Sequence, residues 1–314
     1  MGRKRACASP SRPAGGVIEV EVAPPSPYRL PTYGGEDGVM QVGGGVASRL
    51  LHVDGCPVLV RAWEPGKGRV RLRAERLSPE SIAAPGPAVA APVREAGAAE
   101  LELALERMRF ALGVDEDLGE FYRRFRHDPL LGPLLRRRPH LRPRRRPWPW
   151  EALAWAIVKQ LIESGKAARI QRRIVGRWGL RLDAAGGSLR DVPAARVLAG
   201  RAPVELESMG LAPRRAIALR SVAGDVASGR CDPGDSAADR RLIATREIGP
   251  WTVQCLGLFG RGDADSLPAG DLMYLKLVGR LARLGRRATV EEVEEFYAPY
   301  QPFRGLAAAW TNIL

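Results

Sequence analysis

The stretch REIGPWTVQCLGLFG, residues 246–260, decides how the second half of this sequence folds. A helix begins at Gly249 and Pro250, because glycine is accepted as an N-cap and proline at the first helical position loses no hydrogen bond. The segment before it, residues 235–244, carries a capping box that begins at Ser236 and predicts another helix. Two helices with so short a connection form a hairpin.

The start of the second helix is a candidate anion site. The backbone amides of Gly249, Trp251 and Thr252 are expected to lack helical partners, and the positive end of the helix dipole lies behind them. Gly249 has no side chain, so a phosphate can approach closely. Most helical turns with glycine only join helices, so this interpretation depends on the neighbouring motifs.

One carboxylate follows the hairpin within SLPAGDLMYLK, residues 266–276. Asp271 lies between a Pro-Ala-Gly turn and an apolar helical run, and aspartate favours the N-cap position of a helix. Capping is therefore the simplest role. A catalytic role is compatible with it, because the helix dipole keeps a capping carboxylate ionised.

The composition restricts the partners of the chain. Its 314 residues carry 49 Lys and Arg against 35 Asp and Glu, a formal net charge of +14. This charge favours nucleic acid as the partner, with an anionic membrane surface second. The four cysteines are too far apart for a zinc or iron–sulfur site, so no metal is expected. No secretion signal is recognised, and a cytoplasmic, nucleoid-associated protein is expected.

The character of the sequence changes along the chain. Residues 1–16 are basic and Pro/Gly-rich, which predicts a disordered arm. Within residues 17–83, several segments alternate apolar and polar side chains with a period of two, which predicts a small antiparallel sheet. Residues 84–100 are Ala/Pro-rich and read as a linker. In residues 101–314 apolar side chains recur every three or four positions, which predicts an all-helical domain. The predicted fold class is a two-domain α+β protein.

Two segments of the helical part have special compositions. EALAWAIVKQLIE, residues 151–163, is apolar nearly all round until Lys159, which is typical of a helix buried at the centre of a domain. RRRPHLRPRRRP, residues 136–147, predicts an extended, strongly positive loop. This loop either lies along a phosphate backbone or is an ordinary solvated loop.

These motifs together resemble the helix-hairpin-helix DNA glycosylase superfamily, in particular its 3-methyladenine DNA glycosylase II (AlkA-like) branch. PWPWEALAWAIVKQLIES is similar to the central helix of the family, REIGPWTVQCLGLFG and SLPAGDLMYLK match its hairpin and aspartate motifs, and YQPFRGLAAAW is similar to its C-terminal helix. The resemblance implies a sheet-containing N-terminal domain before a helix-hairpin-helix glycosylase domain. The implied activity is that of a base excision repair enzyme that flips alkylated purines out of duplex DNA and hydrolyses their N-glycosidic bonds.

The resemblance also implies roles for individual residues. Asp271 would be the catalytic carboxylate, and Trp251, Cys255 and Tyr274 would line the base pocket. Leu161 would be the wedge that fills the gap left by the flipped nucleotide. The residues expected to contact DNA are Gln160, Leu161, Ile248, Gly249 and Thr252.

The implied enzyme is monofunctional and monomeric. Superfamily members that also cut the strand carry a hairpin lysine where this chain has Trp251. An alkylated purine is already cationic, so it departs without a general acid and no histidine is required. No organic cofactor is expected, although backbone carbonyls of the hairpin can hold a monovalent cation. The implied partner is double-stranded DNA that contains damaged bases, and no membrane is involved.

The sequence departs from the family in three positions. Glu247 replaces the first glycine of the hairpin, and Lys159 and Glu163 stand where small or hydroxylated residues are usual. Two alternatives therefore stay open beside the alkylpurine glycosylase: a catalytically weak or inactive lesion-binding protein of the same fold, and a glycosylase for another damaged purine such as hypoxanthine. A neutral base of that kind would need a proton donor. A membrane-surface role is a third alternative, but the basic residues do not form one amphipathic face.

Overall fold

The computed structural model describes residues 16–83, 94–184 and 187–312. The arm predicted over residues 1–16 lies outside the described residues apart from Gly16. The linker predicted over residues 84–100 is described only from residue 94 onward.

The N-terminal part forms a five-stranded antiparallel sheet with the strand order β1-β5-β4-β3-β2. Its strands are β1 (Val17–Val22), β2 (Met40–Gly43), β3 (Val46–Val53), β4 (Cys56–Gly66) and β5 (Arg69–Arg76). Along β5, Val70, Leu72 and Ala74 are buried and alternate with more exposed arginines. Asp54 and Gly55 connect β3 to β4 with positive φ angles, as two-residue hairpins require. The antiparallel sheet predicted from the sequence is confirmed.

Helix α1 (Ala98–Leu112) covers one face of this sheet. Its buried side includes Met108, which packs among the apolar residues of the strands. The helix begins inside the linker predicted over residues 84–100, because the carboxylate of Glu100 accepts a hydrogen bond of 2.8 Å from the amide of Gly97 and caps the first turn. The division of the chain into domains remains a prediction.

The rest of the described chain is mainly helical. Its helices are α2 (Gly119–Phe125), α3 (Leu131–Arg137), α4 (Pro149–Lys159), α5 (Ser164–Trp178), α6 (Ala195–Ala199), α7 (Pro203–Ser208), α8 (Pro213–Ala227), α9 (Asp239–Ala244), α10 (Pro250–Leu256), α11 (Leu272–Leu281), α12 (Val290–Tyr297) and α13 (Arg304–Thr311). A π-helical turn, Gly257–Arg261, continues α10. Within the described residues no helix is long and apolar enough to cross a membrane.

The expectation of an all-helical second part is wrong in one place. Strands β7 (Arg181–Ala184) and β8 (Gly187–Arg190) pair with the short strand β6 (Ile82–Ala83) in a three-stranded antiparallel sheet. Leu182 and Leu189 on these strands are buried against apolar residues of the first sheet. The alternation that signals a strand is only a few residues long here, so it is easily missed beside long helices. The α+β fold class is unaffected and is confirmed.

Helix α4 lies at the centre of the helical part, as predicted. Each of its residues from position 151 to 158 is buried. Gly260 allows the turn after α10 to pack closely on it, since an added Cβ would lie 2.8 Å from the Cβ of Ala152. The helix is shorter than the apolar run over residues 151–163, because Gln160 is extended and Leu161 has a φ of 52°.

Four of the seven arginines in the 136–147 segment make contacts within the protein, whereas Arg136, Arg137 and Arg138 are exposed. Helix α3 extends to Arg137, so the non-helical loop begins later than expected. The later arginines form internal hydrogen bonds to carbonyls and carboxylates, and three of the four bind the segment 27–37 that follows β1. These residues are Arg142, Arg144, Arg145 and Arg146. They tie the N-terminal part of the chain to the helical part.

The strongest of these ties is a buried network of charges at the start of α4. Arg146 binds the carboxylates of Asp37 and Glu151, and Glu151 accepts a second hydrogen bond of 2.6 Å from Arg49 on β3. Trp155 Nε1 donates to Asp37 at 2.9 Å. Asp37, Arg49 and Glu151 are each about 1% exposed. Removing one member would leave an unpaired buried charge, which typically costs about 3–5 kcal/mol.

Asp191 borders this network but is weakly paired. Its nearest cationic atom, on Arg49, is 3.9 Å away. Burial raises the pKa of Asp191 to about 7, against the lowering effect of Arg49. The pKa of the nearby His52 is shifted downward instead, to about 4, because burial and the charge of Arg196 both disfavour its protonated form.

We predict that Asp191→Asn stabilises the protein more at pH 8 than at pH 5. The folded-state pKa of Asp191 is above the unfolded value, so the folded protein retains a proton between about pH 4 and pH 7 and loses stability as the pH rises through this window. Asparagine stays neutral, so its advantage should be about 1–3 kcal/mol larger at pH 8. Urea unfolding of the wild type and the variant at each pH measures the difference in their free energies of unfolding. Both proteins contain His52, so its titration contributes equally to the two and cancels in the difference. Equal pH dependence of the two proteins would contradict this assignment.

Candidate active site

The predicted hairpin is present between α9 and α10. Helix α9 ends where the sequence predicts, and α10 begins at Pro250 with Gly249 as its N-cap. The cap before the first helix is Asp235 and not Ser236. Asp235 has the extended backbone that an N-cap needs, and its carboxylate accepts a hydrogen bond of 2.9 Å from the amide of Ala237, whereas Ser236 is already part of the helical turn.

The connection between the two helices is held by a buried side chain and a backbone hydrogen bond, both from Ile248. Ile248 is 4% exposed, and its amide donates to the carbonyl of Thr245 at 3.0 Å. At Gly249 an added Cβ would meet no atom within 4 Å, so the space in front of this backbone is open. The expectation of three unpaired amides is wrong for Thr252, because its amide donates to the carbonyl of Gly249 at 3.0 Å. The side chain of Thr252 is also buried.

Glu247 occupies a backbone position that favours glycine. Its φ is 72°, in the left-handed region, which costs an ordinary residue about 1–2 kcal/mol. Its carboxylate lies 3.9 Å from Arg214 and 4.0 Å from Arg246, and both arginines are largely exposed. The negative charge expected to repel a phosphate is therefore partly balanced by two arginines.

Asp271 is the N-cap of α11, as predicted. Oδ1 accepts a hydrogen bond of 2.9 Å from the amide of Met273, and Oδ2 lies 3.3 Å from Nε1 of Trp251, which donates to it. The carboxylate is thus held by its own helix on one side and by the hairpin helix on the other.

The three residues predicted to line a base pocket lie near this carboxylate. Trp251 and Cys255 lie one turn apart on α10, and Tyr274 lies in the first turn of α11. Cys255 and Tyr274 are buried. Burial raises the pKa of both side chains, and the negative charge of Asp271 adds to the increase. The thiol and the phenol are therefore neutral neighbours of an anionic group.

The end of α4 presents an exposed leucine beside the hairpin. Leu161 is 97% exposed and has a φ of 52°. The preceding Gln160 uses its side-chain amide to bind the carbonyl of Glu247 at 2.7 Å and Oγ1 of Thr252 at 2.8 Å. The backbone carbonyl of Gln160 accepts a hydrogen bond of 2.6 Å from Arg215. An apolar side chain exposed to this degree on a loop fixed from two sides is suited to insertion into a partner.

Sequence reasoning missed Arg215 and assigned no role to Lys159. Arg215 lies in the first turn of α8 and reaches the loop after α4 only in the folded chain, so no local pattern reveals it. Lys159 was noted only as a departure from the family. It is the last residue of α4, directly before Gln160.

No metal centre is apparent in the part of the chain that the structure describes, where no three His, Cys, Asp or Glu side chains are grouped for one. Cys56, Cys231 and Cys255 are buried, free thiols there. A monovalent cation at the hairpin would instead need carbonyl oxygens. Those of Thr245 and Glu247 each already accept one hydrogen bond, and a cation at the hairpin stays a prediction.

Comparison with known proteins gives a curated relative and several solved structures with a similar fold. No protein-family model matches the sequence. The chain is 24% identical over 200 residues to the DNA-3-methyladenine glycosylase of Bacillus subtilis (strain 168), a match that covers 62% of this chain and 66% of that protein. The matched region is therefore slightly less than two thirds of the length of that relative.

Solved structures extend the likeness over nearly the whole chain. The 3-methyladenine DNA glycosylase from Archaeoglobus fulgidus superposes with a TM-score of 0.74 at 20% identity and covers 93% of this chain and 97% of that one. The 8-oxoguanine glycosylase/lyase of Clostridium acetobutylicum, in complex with duplex DNA, gives 0.61 at 15% identity over 87% and 96% of the two chains. The resemblance seen in the sequence is thereby confirmed: the chain is a relative of the DNA-3-methyladenine glycosylases and has the fold of the helix-hairpin-helix DNA glycosylases.

Proposed function

We propose that this protein is a monofunctional DNA glycosylase of base excision repair that flips alkylated purines of the 3-methyladenine type out of duplex DNA and hydrolyses their N-glycosidic bonds. One observation carries the proposal. The carboxylate of Asp271 is fixed by the first turn of α11 and by Trp251, beside the buried Cys255 and Tyr274.

Cleavage of the N-glycosidic bond of a cationic purine requires an anion near the sugar more than an acid near the base. Cleavage of the bond between C1′ and the base leaves positive charge on the sugar, and a carboxylate held in a partly dry site stabilises that charge without having to reorient. Asp271 is half-buried, and both of its oxygens already accept hydrogen bonds from the protein. In this proposal it stabilises the sugar cation and accepts a proton from the attacking water.

The flipped base would stack on the indole of Trp251. An alkylated purine is electron-poor and cationic, so the π face of an aromatic ring attracts it, and such stacking is typically worth about 1–3 kcal/mol. Cys255 and Tyr274 would form the uncharged wall of the pocket, since burial raises the pKa of each.

Leu161 would replace the flipped nucleotide in the stack. Extruding a nucleotide costs a few kcal/mol, and an inserted apolar side chain recovers part of this cost. Leu161 is 97% exposed in the free protein, so its insertion between base pairs would bury apolar surface that is otherwise in water. Gln160 and Arg215 would hold the loop in place during insertion.

Contact with the DNA backbone would involve the hairpin and the arginines beside it. Gly249 leaves open space in front of the first turn of α10, and Arg214 and Arg246 extend from the same side as Glu247. Because Ile248 and Thr252 have buried side chains, any contribution from these two to DNA binding would be through backbone atoms or through support of the turn. The net charge of +14 favours this partner.

The absence of strand cleavage is part of the proposal. The resemblance places Trp251 at the position where bifunctional relatives have the lysine that forms a Schiff base, and an indole nitrogen cannot form one. One solved relative is a glycosylase/lyase, so the distinction has to be measured. A monovalent cation at the hairpin, a monomeric state and a cytoplasmic location are further parts of the proposal, and no catalytic step depends on them.

We predict that Asp271→Asn strongly slows base release while DNA binding persists. Loss of one preorganised electrostatic group typically lowers a rate by about 100- to 1,000-fold, and asparagine can still accept the capping hydrogen bond from Met273. Release of methylated bases from alkylated duplex DNA is measured for both proteins, together with DNA affinity. The wild type should leave alkali-labile sites in an otherwise intact strand.

Two results would count against the proposal. Equal base release by the wild type and Asp271→Asn would show that Asp271 only caps α11. Binding of DNA by both proteins with no release of any methylated base would favour the lesion-binding alternative.

A second prediction concerns Leu161→Ala. Because Leu161 is 97% exposed, its truncation should change the free energy of unfolding by less than about 0.5 kcal/mol. Base release under single-turnover conditions should fall at least about 10-fold, since 1.4 kcal/mol of lost wedge contact corresponds to this factor. Val204→Ala truncates another exposed apolar side chain, on α7, and serves as the matched control. A similar effect of both substitutions would rule out a specific wedge.

A further inference from the structure

Helix α5 begins shortly after Leu161, and the charges on its exposed face are all positive. Its buried side includes Ile170, Ile174 and Trp178, which pack in the core of the helical part. Every exposed residue of α5 is either small or cationic, and none is acidic. The small residues are Ser164, Gly165 and Gly176, and the cations, which we call the α5 stripe, are Lys166, Arg169, Arg172, Arg173 and Arg177.

The α5 stripe extends along the helix from the end that is nearer to the proposed wedge. Lys166, Arg173 and Arg177 follow one another at spacings of seven and four residues, which place them on one side of an α-helix. From Lys166 to Arg177 the helix rises about 16 Å. Each strand of B-DNA has a phosphate every 3.4 Å or so along the axis, so this length corresponds to about five base pairs.

The cations of the α5 stripe have no anionic partner among the residues that the structure describes, where ion pairs involve other basic side chains. Arg172 and Arg173 donate to backbone carbonyls, at 2.7 Å to Glu36 and at 3.4 Å to Met209. The other three cations make no side-chain hydrogen bond within the described ranges. Like charges three or four positions apart on a helix repel each other. Such a face is therefore suited to a polyanionic partner that offsets the repulsion.

A basic helical face is also typical of helices that lie on anionic membranes. Those helices insert an apolar face into the lipid, and the apolar face of α5 is inside the protein core. The expectation from the sequence that the basic residues form no amphipathic face is wrong for α5. Because only its charges are available to a partner, α5 fits a row of phosphates better than a lipid surface.

We propose that the α5 stripe is a further DNA-contacting surface, which binds phosphates of the duplex on one side of the lesion. This inference rests on the proposed function, because it takes the position of the lesion from the wedge. Insertion of Leu161 would bring the damaged nucleotide close to the beginning of α5, and the stripe would then lie along the flanking duplex. The hairpin would hold the backbone elsewhere. Additional backbone contacts of this kind offset the cost of unstacking and bending the duplex around a wedge.

The test uses a variant in which the three stripe cations without a hydrogen bond in the described part of the chain are neutralised. Glutamine has a helix propensity close to that of lysine and arginine, so the fold should be retained, and urea unfolding checks this. Affinity is measured at several salt concentrations for a duplex that contains a tetrahydrofuran abasic site. The stripe variant combines Lys166→Gln, Arg169→Gln and Arg177→Gln.

A control variant removes the same charge from another exposed surface. It neutralises three exposed arginines in or directly after α2 and α3, none of which forms an ion pair with a described residue. Loss of net charge is therefore equal in the two variants, and only the position of the lost charge differs. The control variant combines Arg123→Gln, Arg137→Gln and Arg138→Gln.

We expect the plot of log affinity against log salt to become shallower by about 2–3 in the stripe variant, since each phosphate contact contributes about 0.9 to the slope. An increase in salt from about 50 to 200 mM should therefore weaken DNA binding by the wild type about 40-fold more than by the stripe variant. The control variant should keep the slope of the wild type. At saturating protein the stripe variant should release methylated bases as fast as the wild type, because the stripe does not touch the reacting atoms.

Uncharged methylphosphonate linkages in the DNA test where the contact lies. They are placed within about five base pairs of the abasic site, on one side or on the other, to match the length of the stripe. On one of the two sides they should weaken binding of the wild type while they have little effect on the stripe variant. Equal weakening of the two proteins on both sides would overturn the inference.

The salt dependence also separates this inference from the proposed function. Equal slopes in the wild type and the stripe variant would overturn the inference, and so would equal changes in the stripe and control variants. Release of methylated bases by the wild type would leave the proposed function intact in either case. A shallower slope in the stripe variant alone, without base release by the wild type, would instead support the surface and refute the proposed function.

Discussion

The buried pair of Arg146 and Glu151 is the interaction on which the rest of this structure depends. It lies at the first turn of α4 and joins that helix to Asp37 and Arg49 of the N-terminal part. Buried ion pairs seldom add much net stability, but their geometry is demanding and a wrong arrangement leaves charges unpaired. The network therefore fixes one position of the sheet relative to the helical core.

The orientation of α4 carries this constraint to the site. Its first turn is held by the charges, and its last residue, Lys159, is followed directly by Gln160 and the exposed Leu161. Gln160 continues the connection to the hairpin through Thr252 and the carbonyl of Glu247. The N-terminal part therefore contributes to the site, because it determines where the central helix ends beside the proposed base pocket.

Local patterns were enough to predict the hairpin, the cap at Asp271 and the antiparallel sheet. Each depends on a few neighbouring residues, such as Gly249 with Pro250 or the alternation in β5. The internal role of Arg142, Arg144 and Arg146 was beyond prediction, because their partners in the segment 27–37 lie 109 to 115 residues away along the chain. The left-handed backbone of Leu161 and the hydrogen bond from Arg215 likewise arise only from tertiary packing.

The central claim is that Asp271, although a helix cap, stabilises positive charge on the sugar. The most direct test measures the affinity for duplex DNA containing a cationic pyrrolidine in place of the target sugar, relative to an uncharged tetrahydrofuran abasic site. Transition-state analogues typically bind at least about 100-fold more tightly than ground-state ligands. Our account predicts this preference in the wild type and its near-complete loss in Asp271→Asn. An equal preference in both proteins would contradict it.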